Sequence, residues 1–204
     1  MPRAWPILIV AATLGRPAAA DEPARPFPVV TPKPTGIIAT GINSGGDLVG
    51  FEWVEEDDQP GVLTQQPFFA RGDEMTYLPL LDGYTATFPA AVSDDGLVVG
   101  RASKPAPLGV VVPLRNQAFV WGAAGGIRGL GTLDGDRASF ASSIARDGRR
   151  IARFSVGPDR VRACVWDRDG DAWRAAALPH EGRLGSNTVA LSGDGRYAAA
   201  VDGE

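Results

Sequence analysis

A glycine turn recurs four times in the chain, in "TGINSGGDLVG" (Thr40–Gly50), "AVSDDGLVVG" (Ala91–Gly100), "SSIARDGRRIA" (Ser142–Ala152) and "VALSGDGRYAA" (Val189–Ala199). In each, an aliphatic residue stands four positions before a glycine, and a short apolar run follows. The aliphatic residues are Ile42, Val92, Ile144 and Leu191, spaced 50, 52 and 47 residues apart. The shared glycines are Gly46, Gly96, Gly148 and Gly195, and Asp95, Asp147 and Asp194 directly precede three of them. Asp-Gly between apolar runs predicts a tight hairpin of type I′, whose two central positions both need positive φ. No amphipathic helix pattern intervenes; "WRAAALP" has room for one helical turn before Pro179 ends it. A hairpin repeated about every fifty residues constrains the chain to a stack of like β units.

The second half of each unit also repeats. "QPFFARGDEMTYLPLLDG" (Gln66–Gly83) parallels "QAFVWGAAGGIRGLGTLDGD" (Gln117–Asp136), and "RACVWDRDGDAWRAAALP" (Arg162–Pro179) follows more loosely. Phe119 with Trp121, and Cys164 with Trp166, alternate at period two, so each pair faces one side of a sheet. One unit is then about four short antiparallel strands, a propeller-like blade. The units expected are 36–84, 85–137, 138–187 and 188–204, the last incomplete or closed by the N-terminal segment. A lone blade cannot bury both faces, so neighbours must supply the core. Ile42, Val92, Ile144, Leu191, Phe68, Phe119, Trp121 and Trp166 are its expected members. Three arrangements fit the count: a ring closed by strands from residues 26–40, an open curved stack, or a chain that is truncated or completes itself by oligomerising through its open terminal repeat.

The first twenty residues differ in kind. One arginine, an apolar run too short to span a bilayer ("AWPILIVAATL") and Ala18-Ala19-Ala20 read as a signal peptide cleaved after Ala20. The expected location is therefore secreted or periplasmic. Residues 21–35, "DEPARPFPVVTPKPT", form a proline-rich lead-in. No later run reaches eighteen apolar residues, so no membrane span is expected. The net charge of −4 offers no general field for nucleic acid. The single cysteine, Cys164, has no intramolecular disulfide partner and reads as a small buried hydrophobe.

With those motifs in place, the units resemble the HAF repeats of secreted bacterial proteins, named for a His-Ala-Phe tripeptide. The match is fullest over "AFVWGAAGGIRGLGTLDGDRASFASSIARDGRRIA" (Ala118–Ala152), while "AVSDDGLVVG" and "GINSGGDLVG" fit the family's other half. The naming histidine is replaced: the positions read Gln66-Pro67-Phe68, Gln117-Ala118-Phe119 and Arg162-Ala163-Cys164. The resemblance implies an extracellular β-repeat architecture, propeller-like, and no established activity.

Candidate chemistry is sparse. The Asp-Gly turns lack the order of an Asp box, and Ser93–Asp95 offers at most three oxygens to a cation, so these are turn residues. His180 is the only histidine and no nucleophile elbow is present. One histidine and one cysteine make no zinc site. Glu55-Glu56-Asp57-Asp58 reads as a solvated loop rather than a glycosidase pair. The glycines of Gly122–Gly131 lack the helix that a phosphate cradle needs. Among Trp53, Trp121, Trp166 and Trp173, Trp173 is the expected exposed stacking residue, flanked by Asp171 and Arg174. Arg146, Arg149, Arg150 and Arg153, with Arg160 and Arg162, make the third unit locally basic and raise the question of an anion patch. No catalytic, cofactor or metal residue is assigned. The expected function is a non-catalytic binding or scaffold module for an unknown protein or glycan partner. The alternatives are a hydrolase of glycans or polymers using acids such as Asp82, Asp134 or Glu181, or a fragment of a larger repeat protein.

Overall fold

The computed structural model describes residues 36–56, 59–104, 115–178 and 189–200. Ala20, the lead-in, Asp57, Asp58, His180 and Glu181 lie outside them. The described residues form fourteen strands and no helix. The first sheet is β1 (Ile37–Ile42), β2 (Leu48–Glu56), β3 (Gln59–Arg71) and β4 (Glu74–Tyr77), paired antiparallel in chain order. The second repeats the plan with β5 (Ala86–Val92), β6 (Val98–Lys104), β7 (Arg115–Gly122) and β8 (Gly126–Gly129). The third uses β9 (Ala138–Ile144), β10 (Arg150–Val156), β11 (Val161–Asp169) and β12 (Ala172–Ala177), so "WRAAAL" contributes an edge strand, not a helical turn. A two-stranded sheet follows, β13 (Val189–Leu191) with β14 (Ala198–Ala200).

The sheets stack through their first strands: β5 lies against β1 and β2, β9 against β5, β6 and β7, and β13 against β9 and β10. Strand alternation then fills the spaces between sheets. Val49 and Phe69 of the first sheet meet Val98, Phe119 and Trp121 of the second. The opposite face of the second sheet, Val99, Ala118 and Val120, meets Ile151, Cys164 and Trp166 of the third. Ala152, Ala163 and Val165 on the third sheet's far face meet Val189. The two pairs expected to share a face do so, Phe119 with Trp121 and Cys164 with Trp166. Both middle sheets bury both faces, and the core is a series of seams.

Val92, Phe68, Phe119, Trp121 and Trp166 are buried, and Ile144 and Leu191 are half-buried and packed against it. Ile42 departs from expectation at 55% exposure. It pairs with Leu48 on the face of the first sheet turned away from the second, where no sheet packs among the described residues. Ile37–Ile42 form β1, an edge strand of the first sheet, and residues 26–35 lie outside the described residues.

In each of the three four-stranded sheets the pair of first strands carries a bulge, at Thr40, Ala90 and Ser142. In the first two units a carbonyl of the first strand also lies close to the second strand. A Cβ on Gly50 would lie 2.0 Å from Ile38 O, and one on Gly100 would lie 2.0 Å from Phe88 O. Only glycine fits there.

Candidate functional site: the turn rim

The four recurrent turns line up along one rim of the stack. Their loops are wider than the two-residue type I′ form. In the second unit Gly96 N donates to Ser93 O at 3.0 Å and Ser93 N to Leu97 O at 3.0 Å, leaving a three-residue loop closed by Gly96 at φ 84°. That is the pattern of a type I turn with a glycine bulge, in which only the glycine need be left-handed. The first unit matches, with Asn43 N to Asp47 O. The third and fourth loops hold one residue more, since Ala145 N bonds Arg150 O and Ser192 N bonds Tyr197 O.

Side chains before the glycine stiffen these loops. Ser93 Oγ accepts from Leu97 N at 3.0 Å and bonds Asp95. Ser192 does the same with Tyr197 N and Asp194. Asn43 takes that place in the first unit, where its Oδ1 accepts from Gly45 N and Asp47 N. Asp194 is held below the ordinary carboxylate range by Ser192 first, then by the Arg196 amide.

A hydrogen-bonded ladder joins turn to turn. Ser44 N donates to Asp94 Oδ1 at 3.0 Å, Asp94 N to Arg146 O at 2.9 Å, and Arg146 N to Gly193 O at 2.9 Å. Asn43 Nδ2 adds a bond to Ser93 O at 2.8 Å. The Ser44 bonds hold the Asp94 carboxyl below its usual range. Asn43, Ser44, Asp94, Arg146 and Gly193 line a cleft of about 400 Å³ beside the ladder. Behind it, buried Asp47 accepts from Arg71 Nε at 3.0 Å and Nη2 at 2.7 Å, and from Asn43 at 2.8 Å. The Arg71 fork is the main reason the Asp47 carboxyl sits low, against the opposing effect of burial.

The residues singled out in the sequence disperse. Asp95, Asp147 and Asp194 are local turn carboxylates; Asp147 Oδ1 accepts from Arg149 N at 3.0 Å. No three potential metal ligands converge among the described residues. Asp82 and Asp134 are exposed residues of equivalent turns, each followed by a positive-φ glycine, Gly83 and Gly135. Glu55 and Glu56 lie at the end of β2 rather than in a loop, and Glu55 Oε1 accepts from Gly61 N of β3 at 2.7 Å, an exposed strand-to-strand contact. The glycines at Gly122–Gly126 form the hairpin between β7 and β8.

The basic run does not form one patch. Arg146 belongs to the rim ladder. Arg150 forks onto Asp167 at 2.5 and 3.0 Å and donates to Gly195 O at 3.1 Å. Arg162 pairs with Asp136 at 2.9 Å. Arg149 and Arg160 are exposed. Arg153 alone turns into the seam between the second and third sheets. Trp173 is not the exposed tryptophan; it packs on the core of that seam, and Trp53 is the one at the surface. Cys164 is fully buried, and burial pushes its thiol up to about 12.

Sequence reading missed the polar framework of Asn43, Ser44, Asp47 and Arg71, and it missed Arg101. The first four carry no motif, because their role depends on which turn lies beside which. Arg101 did leave a signal: it interrupts the apolar run "LVVGRA". No family model matches the chain, and no curated protein matches it.

Proposed function

We propose that the protein is an exported, propeller-like repeat module of the HAF type that binds a protein or glycan partner through its turn rim and catalyses nothing. The observation carrying this reading is the ladder across the four turns. It holds Ser44, Asp94 and Arg146 in fixed relation along one edge, and loops on a rigid β scaffold are the usual place for recognition. The polar groups there are occupied in holding turns, and the exposed acids Asp82 and Asp134 belong to separate turns of separate units. A glycosidase needs two carboxyl groups from different elements facing one bond.

The test is a screen of the full chain on glycan and peptide arrays, repeated with Asp94→Ala and Arg146→Ala. A ligand retained by wild type and lost in both variants, with melting unchanged, supports the rim. Turnover of a polysaccharide that disappears in Asp82→Ala or Asp134→Ala establishes the hydrolase instead.

A further inference from the structure

We propose that the cavity where the first, second and third sheets meet holds a binding site for a carboxylate carried on an apolar body, gripped by Arg101 and Arg153. The inference deepens the binding-module reading and rests on it, while placing the ligand away from the rim.

The strand registers align the repeats residue by residue. Gly50 opposes Phe68, Gly100 opposes Phe119 and Arg153 opposes Cys164. Arg153 thus occupies the place that the first two units give to glycine. One position on, Phe51, Arg101 and Phe154 correspond, opposing Pro67, Ala118 and Ala163. Arg101 occupies the place that the first and third units give to phenylalanine. The two departures from the repeat line the same cavity of about 350 Å³, with Phe51, Phe88, Thr40 and Gln65. That volume suits a small organic molecule.

These two arginines differ both from Arg146, Arg149 and Arg160, which are exposed, and from Arg150 and Arg162, which are paired with aspartates. Neither forms an ion pair or hydrogen bond among the described residues, and the Nε of each is buried without a partner. A buried donor left unpaired is costly, so such groups are rare outside sites that use them. No acid lines the cavity. Aromatic rings hold the guanidinium groups in place: Arg101 lies 4.6 Å from the Phe88 centroid, and Arg153 lies 4.9 Å from Phe154 and 6.0 Å from Phe140. Burial, and then the charge of Arg101, lower the proton affinity of Arg153. An anion between the two relieves both effects.

A carboxylate fits best. Its two oxygens match the planar fork of a guanidinium. The Phe51 and Phe88 walls favour a flat apolar body, which a bare oxyanion lacks. Gln65 and Thr40 supply polar edges.

The full chain is titrated calorimetrically with sodium benzoate at constant ionic strength, with benzyl alcohol and sodium sulfate as parallel arms. Benzoate is expected to saturate at one per chain, with both other probes about ten-fold weaker or worse. The Arg101→Gln/Arg153→Gln variant is expected to weaken benzoate by about ten-fold or more. Arg101→Phe with Arg153→Gly restores the repeat residues, so it is expected to melt no lower than wild type and to bind no benzoate. The proposal is overturned if wild type fails to bind benzoate below about 10 mM, if the repeat-restoring variant binds it as well, or if sulfate binds more tightly. Array ligands lost with Asp94→Ala leave this titration unchanged, so failure of the rim and failure of the arginine cavity are read separately.

Discussion

Gly100 should resist replacement by alanine even when the ring beside it is taken away. An added Cβ would lie 2.0 Å from Phe88 O and 2.9 Å from Phe119 Cε1. Ordinary contact would require the carbonyl to retreat by more than 1 Å, roughly a carbon–oxygen contact distance less the distance available. The carbonyl is pinned by strand pairing, since Phe88 opposes Arg101 and Pro89 opposes Gly100. Overpacking against movable side chains costs about 1–3 kcal/mol, and a fixed backbone atom puts Gly100→Ala at about 3 kcal/mol or above. For a chain of this size that is a fall of roughly 6–12 °C in Tm. Phe119→Ala removes a fully buried ring and should cost about 3–5 kcal/mol by itself. The decisive sample is the double variant, compared with both singles by thermal and urea melts. If the carbonyl sets the cost, Gly100→Ala retains more than about half its penalty in the Phe119→Ala background. Gly50→Ala serves as the internal control, because its Cβ meets Ile38 O at 2.0 Å with no ring within the three nearest atoms. A Gly100→Ala effect within about 0.5 kcal/mol of zero in the double variant would refute the backbone argument.

Asp47 should impose an acid-side dependence on stability. Its carboxyl is held low by Arg71, so its contribution is complete above about pH 4 and is lost as pH falls through the lower native value. Asp47→Asn should cost about 1.5 kcal/mol at pH 7, the low end for a charged hydrogen bond because Arg71 is half in water, and should flatten the urea midpoint between pH 5 and 2, a window of roughly three units around the native titration. Ser93→Ala should cost more than Ser192→Ala, because Ser93 is 1% exposed and leaves Leu97 N without its side-chain acceptor; the urea midpoints of the two variants give the comparison. Cys164, buried and held protonated to about 12, should fail to react with a thiol reagent in the native protein and react fully in denaturant.

The all-β class and the antiparallel sheets were legible because a glycine turn leaves a local mark that recurs. The period-two pairs Phe119/Trp121 and Cys164/Trp166 were legible for the same reason: alternation needs only neighbours in sequence. The loop width was not, because Asp-Gly satisfies both a two-residue turn and a wider loop closed by a left-handed glycine. Exposure of Ile42 was not legible either; the residue matches Val92 in sequence, and only the lack of a sheet beyond the first one among the described residues distinguishes them. The rim ladder and the Arg101–Arg153 cavity depend on contacts about fifty residues apart. In the sequence they show only as exceptions to the repeat, and an exception becomes visible once the strand register fixes which residues correspond.

The ladder along the rim is not uniform, and the difference bears on how the chain can change over generations. The second-to-third and third-to-fourth links run from amide to carbonyl, so they do not depend on which side chain stands at Arg146, proline aside. The first-to-second link is made by side chains, Ser44 N on the Asp94 carboxylate and Asn43 Nδ2 on Ser93 O, so it exists only while those side chains do. Drift in side chains leaves two of the junctions in place, while the third depends on keeping Asn43 and Asp94. A lineage that duplicated, lost or exchanged units would find the first unit the easiest to detach.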